Sequence, residues 1–241
     1  MPRRTVVFIV LAAAAAALFI RLGVWQLHRR EERRARNALV SARLTSPPVD
    51  VVALPRDTVE ARYRRVRGVG SPDYDHEVAW TARTHEGSPG VNLITPVRIA
   101  GHDTAVLVNR GWVYAPDGAT VDFAKWHDSD SVFTGYVEEL APGPNGESTR
   151  HPRMVIRLSA ATVAHAFPYP VMPFYIVATG DSAMAADKPA RLELPALDEG
   201  PHLSYAIQWF SFALIALVGA GIVVKRRRDG DGGAEDAYRR S

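Results

Sequence analysis

Residues 203–228 read LSYAIQWFSFALIALVGAGIVVKRRR, an uncharged apolar run that ends in four consecutive bases. At ~1.5 Å of rise per residue, a helix of about 22 residues matches roughly 30 Å of hydrocarbon. The stretch therefore reads as a transmembrane helix. Working outward, the chain holds one other block of this kind, residues 5–27, which contains VVFIVLAAAAAALFI. A cleaved secretory signal is the rival reading there, because MPRR is a positive leader and the alanines offer cleavage sites. Against it, the apolar pattern continues through Leu18, Phe19 and Ile20 into LGVWQL, long enough to span.

The bases after the second run place the C-terminus in the cytoplasm, since DEGPHLSY before it carries neither Lys nor Arg. With two spans, the N-terminus with Arg3 and Arg4 shares that side. Arg29, Arg30, Arg33, Arg34 and Arg36 after the first run argue the reverse. The second run has the cleaner asymmetry, and Glu31 and Glu32 mark the cluster as a charged continuation of the first helix. The expected layout is a cytoplasmic segment 1–4, a span 5–27, an extracytoplasmic domain 28–201, a span 203–224 and a cytoplasmic tail 225–241 that is basic and then disordered.

Composition removes several functions. The 241 residues include no cysteine, so disulfides, thiolate metal sites, CxxC redox motifs and a copper chaperone with paired thiols are excluded. A formal charge of +3 gives no nucleic-acid footprint.

Between the spans lie short runs rich in Val, Ile, Thr, Tyr and Trp: ARYRRVRGVG, HEVAWTART, GVNLITPVRI, TAVLVNRGWVY, SVFTGYVEEL, RMVIRL and PFYIVATG. Bounded by Gly, Pro, Asp and Asn, they read as strands, and their spacing predicts an antiparallel barrel or sandwich. The fold class is thus α+β, with terminal membrane helices flanking a β-rich extracytoplasmic domain. One helix is expected inside it over SAATVAHAF, residues 159–167, with Ser159 as N-cap and Pro168 as the stop. APGPNGEST, residues 141–149, reads as a loop.

No nucleophile elbow, phosphate loop or ligand cluster is present, so the sequence gives no support for an enzyme. In KWHDSD, His127, Asp128 and Asp130 form the best metal candidate outside the spans, against a solvated loop, which is the preferred reading. Near the membrane, His202, Tyr205 and Trp209 fall within about 60° of one another on a helix. Ser204, Gln208 and Ser211 form a polar stripe opposite them. On the first helix Arg21, Trp25 and His28 share a face, and Gly23 offers close approach to a second helix. Interfacial anchoring accounts for Tyr205 and Trp25, and Arg21 reaches outward by snorkelling. An imidazole at the boundary, His202, also has the chemistry to ligate haem iron.

Three stretches in this order, LGVWQLHR (22–29), VLVNRGWVY (106–114) and HLSYAIQWF (202–210), resemble the Surfeit-locus-1 family of cytochrome c oxidase assembly proteins, as does GVNLITPV (90–97). The resemblance covers essentially the whole chain. It implies a chaperone of the respiratory chain that assists haem a insertion into oxidase subunit I. The implied partners are subunit I, the haem a synthesis machinery and the lipid bilayer. His202 matches the family's proposed haem ligand, which makes it the metal-ligating residue. Tyr205, Trp209, Arg21, Trp25 and His28 complete the expected haem a site, with Arg21 or Arg29 near the propionates. A membrane scaffold that never touches haem shares every motif. A haem-modifying enzyme is disfavoured, because it needs more intramembrane polar groups than two short spans supply. The lack of a long presequence fits a bacterial plasma membrane better than the alternative, a mitochondrial inner membrane. Arg110 and Trp112 read as structural, with Gly111 at a turn or bulge and partner docking as the alternative.

Overall fold

The computed structural model describes residues 3–144, 146–147, 153–180 and 187–239. It divides into a helical unit, Met1–Leu39 with Leu197–Ser241, and a sheet unit, Val40–Ala196.

The helical unit is built from α4 (His202–Arg239) and from α1 (Arg3–Thr45) up to Leu39, the last residues of α1 belonging to the sheet unit. Ala, Leu, Arg and Glu carry α1 without interruption until the prolines that follow Ser46, where the extended geometry required before proline stops it. Asp198 Oδ1 accepts from Gly200 N at 2.8 Å, and Gly200, at φ +72°, turns the chain into Pro201 and α4. Both helices are long and apolar enough to cross a membrane. The α4 backbone remains helical through 229–239, over the tail expected to lack order. That tail follows a long helix with no proline in its path, so each added turn only propagates what is already nucleated.

Shielded positions on α1, Ala16, Phe19, Gly23, Gln26 and Arg30, recur at alternating spacings of three and four, as do His202, Ala206, Trp209, Ala213 and Ala216 on α4. This 3.5-residue period is the seam of an antiparallel pair. Phe19 stacks on Trp209 at 5.7 Å between ring centroids, and a Cβ on Gly23 would stand 2.7 Å from the Phe210 ring. Gly23 thus makes the close approach read from the sequence.

The sheet unit contains β1 (Val49–Asp50), α2 (Thr58–Ala61), β2 (Arg65–Val69), β3 (Ser71–Pro72), β4 (Val78–His85), β5 (Ser88–Arg98), β6 (Ala105–Tyr114), β7 (Val132–Glu139), β8 (Gly146–Glu147), β9 (Met154–Arg157), α3 (Ala160–Ala166) and β10 (Val171–Ala178). The ten strands form one sheet in the order β1-β2-β7-β10-β6-β5-β4-β9-β8, with β3 beside β5. All seven quoted runs contain a strand. The expectation of a purely antiparallel arrangement is corrected: β1 with β2, β6 with β10 and β4 with β9 pair in parallel. Parallel pairing needs a long crossover, and the chain between β6 and β10 supplies one, returning by way of β7, β9 and α3.

The central strand β10 is buried on both faces. Phe174, Ile176 and Ala178 join Val106, Val108 and Val137 on one side, while Tyr175 and Val177 join Leu107, Val163 and Phe167 on the other. A strand covered twice reads as a continuous apolar run, which is how VMPFYIVA reads. α3 closes the second face. Ser159 caps it, its Oγ accepting from Thr162 N at 3.2 Å, and Phe167 ends it before Pro168. Within 141–149, Gly146–Glu147 pairs as β8, while 145 and 148–149 lie outside the described residues.

Candidate functional site

Two clusters gather the residues of the quoted motifs, one in each unit. In the helical unit, His202 opens α4 half-buried, and its Nδ1 lies 2.9 Å from Oε1 of Gln26 on α1. With the amide oxygen as acceptor, Nδ1 is the donor, and Nε2 is the ring nitrogen left for a metal. Below this contact, the Phe19–Trp209 stack and the Phe210 ring over Gly23 fill the seam.

Above it, the bases of α1 grip the turn that leads into α4. Arg30 and Arg34 pair with Glu199 at 3.0 and 2.8 Å, and Arg33 Nε and Asn37 Nδ2 donate to the Asp198 carbonyl. Arg29 pairs instead with Glu32 on its own helix.

Of the six residues expected to share a site, His202 and Trp209 face α1. Tyr205 and Trp25 are 47% and 52% exposed, and Arg21 and His28 are exposed as well. At 100° per residue, Arg21, Trp25 and His28 lie on the side of α1 turned away from the Gly23–Gln26 seam. The structure therefore does not bring them to His202. Ser204, Gln208 and Ser211 are exposed, as their stripe predicts. Gln26 was missed by sequence reasoning; its place at the seam, in register with His202, is the signal that finds it.

In the sheet unit, the centre is Arg110 on β6. Its side chain is 9% exposed, and its Nη1 donates to Glu77 Oε1 at 3.0 Å, while Nη2 donates to Asp128 Oδ2 at 2.6 Å and to the Trp126 carbonyl. Glu77 is fully buried and also accepts from Thr95 Oγ1 at 2.5 Å. Burial alone would weaken the Arg110 guanidinium, but Glu77 and Asp128 outweigh it and hold its pKa above the ordinary value. Asp128 shows the converse: burial would raise its carboxyl, yet Arg110 and hydrogen bonds from Asp130 N and Tyr74 keep it below the usual range. His127 stacks on Tyr74 at 4.0 Å, and Asp130 pairs with Lys188 at 2.7 Å. The metal reading of His127, Asp128 and Asp130 thus gives way to ion pairs and ring stacking, and no cluster of metal-ligating side chains occurs among the described residues. The solvated-loop reading holds only in part, since Asp128 is drawn inward to Arg110.

Gly111 sits in the left-handed region at φ +129°, beside a shift in the β5–β6 register. A Cβ there would stand 2.3 Å from the Ala190 carbonyl oxygen. That room admits the segment 187–192, which crosses the motif as a strap. Trp112 and Ala190 exchange two backbone hydrogen bonds of 2.8 Å, and Arg191 Nη1 donates to the Arg110 carbonyl. Trp112 itself is half-buried.

The sequence profile of the SURF1 family matches residues 13–214. A SURF1-like protein of Mycobacterium bovis is 28% identical over 232 residues, spanning 88% of this chain and 80% of its own length. Those of Monosiga brevicollis and Rickettsia felis are 26% and 25% identical, spanning 87% and 83% of this chain and 84% and 89% of their own lengths. Bacterial and eukaryotic relatives therefore both align with nearly the full chain. The chain belongs to the SURF1 family, whose members are assembly factors tied to cytochrome c oxidase rather than classical enzymes.

Proposed function

We propose that this protein is a membrane-embedded biogenesis factor that assists haem a insertion into oxidase subunit I, receiving its cargo from the haem a synthesis machinery. The observation that carries this reading is the His202–Gln26 pair at the start of α4. It orients the imidazole through Nδ1, leaving Nε2 as the ring nitrogen to bind iron, at the boundary of an apolar helix. A single histidine ligand permits release to a site with two, as a carrier needs. The chemistry of the donor set fits the cargo; the filled seam directs it to the outer flank of the pair, where Tyr205 is exposed.

Both helices cross the membrane in this reading, with the termini in the cytoplasm and the sheet unit outside. The bases that follow the apolar run of α4, Lys225 to Arg228, support that orientation. The opposing cluster after the first span loses weight because Arg30, Arg33 and Arg34 are engaged with Asp198 and Glu199. The bacterial plasma membrane is the proposed location.

The second reading is a scaffold that stabilises an assembly intermediate without touching haem. The Phe19–Trp209 stack favours it, since it leaves no slot for a macrocycle within the seam. To separate the two, the chain is co-expressed with a haem a pathway and purified in mild detergent. Difference spectra of wild type and His202→Ala are then compared alongside subunit I co-purification. Haem a on wild type and absent from His202→Ala supports delivery. Haem absent from both, with subunit I retained, establishes the scaffold.

A further inference from the structure

Among the described residues, two arginines of the sheet unit line one cleft and pair with no carboxylate: Arg65 on β2 and Arg191 on the strap. The cleft holds about 400 Å³, within the range of small-molecule sites, and its walls include Leu44, Tyr136, Leu192 and Thr179. Arg65 is exposed, and solvent accounts for it. Arg191 is half-buried, its hydrogen-bond partner among the described residues is the Arg110 backbone carbonyl, and it also borders the neighbouring cleft that Asp128 and Asp130 line.

A guanidinium taken from water without a counter-ion is disfavoured. Burial, and then the neighbouring Arg110 cation, both hold the Arg191 pKa below its ordinary value. Asp128 and Asp130 act in the opposite sense, but from within their own ion pairs with Arg110 and Lys188. The acid on the cleft wall, Glu193, is exposed and makes no ion pair among the described residues. An anion placed in the cleft supplies the ion-pair partner that Arg191 does not have among the described residues. The planar fork of arginine matches a carboxylate, and the leucines and Tyr136 suit an apolar body better than a hydrated phosphate.

We propose that this cleft is a binding site for a small organic acid, with its carboxylate on Arg191, Arg65 as the second cation, and a short apolar chain against Leu44, Tyr136 and Leu192. All the residues that line it belong to the sheet unit, and the proposal does not rest on haem delivery.

The test is calorimetric titration of the full chain in detergent with hexanoate, methyl hexanoate and inorganic phosphate. Hexanoate binds; the ester and phosphate bind at least about tenfold more weakly, because one lacks the charge and the other the apolar body. Arg191→Gln weakens hexanoate by about tenfold or more, and Arg65→Gln by less. Equal binding of the ester, or of phosphate, overturns the proposal, as does an unchanged affinity in Arg191→Gln. Should Arg191→Gln fail to fold, Arg191→Lys keeps the charge without the fork. A loss in it and in Arg65→Gln supports the site, and no loss in either overturns it.

Discussion

His202 and Gln26 meet at 2.9 Å, imidazole Nδ1 to amide oxygen, joining the first turn of α4 to α1. The contact sets the orientation of the ring, with Nδ1 turned to the amide oxygen. Gln26→Leu keeps the side-chain volume close and removes the acceptor. Groups that orient a metal-binding histidine are worth about 10- to 100-fold in affinity. Under the proposed haem a delivery, the variant binds haem a at least about tenfold more weakly than wild type in absorbance titrations, with far-UV circular dichroism unchanged.

Gly23→Leu tests the seam. Its Cβ alone would stand 2.7 Å from the Phe210 ring, so the helices must separate or the ring must turn. Overpacking of this kind costs about 1–3 kcal/mol. A lowered midpoint in SDS unfolding is expected, and Phe210→Ala in the same chain should restore most of it.

Arg110→Met leaves Glu77 buried without its arginine, with Thr95 Oγ1 at 2.5 Å and His127 Nε2 at 3.7 Å as its remaining partners. Breaking a buried pair from one side costs about 3–5 kcal/mol, whereas replacing both members with apolar groups is often neutral. Thermal unfolding in detergent should show a large drop for Arg110→Met and substantial recovery for Arg110→Met with Glu77→Met.

Acid should narrow the gap between wild type and Arg110→Met. The Asp128 carboxyl is held below its ordinary value in the folded protein, so its contribution is full above the unfolded pKa of about 3.9 and fades as pH falls through the folded value. Without Arg110, the burial that pushes this carboxyl up is less opposed, and that contribution shrinks. Unfolding midpoints of the two proteins measured from pH 7 to pH 3 should converge; a constant gap would show that Asp128 is not coupled to Arg110.

Gly111→Ala places a side chain where the Ala190 carbonyl lies and imposes φ +129° on a residue with a Cβ. The strain alone is worth about 1–3 kcal/mol, so a fall of roughly 2–10 °C in unfolding temperature is expected. Amide exchange at Trp112 and Ala190 should rise first, because their two backbone bonds hold the strap.

What could be read from the chain was local. Ser159 announces its helix because an N-cap and a following proline act within a few residues, and the strands announce themselves by β-branched runs. The partner of β6 was not legible, because β10 lies far along the chain and nothing in either strand records direction. Likewise KWHDSD looks like a ligand cluster until Arg110 arrives from another strand to take Asp128. On the helices, hydropathy marked the spans, but aromatic positions suggested one face and packing chose another. The seam follows the small residues Ala16, Gly23, Ala206 and Ala213, all of them buried, while Trp25 and Tyr205 stay outside.

The place of β10 between β7 and β6 also sets a timetable for synthesis. Every other strand of the sheet leaves the ribosome before the one that joins β1-β2-β7 to β6-β5-β4-β9-β8. Until Ala178 emerges, the nascent chain carries two half-sheets with open edges, each a template for mispairing. A chain truncated before Val171 should therefore aggregate rather than fold as a smaller domain, and premature stops just upstream of β10 should be as damaging as those near the start.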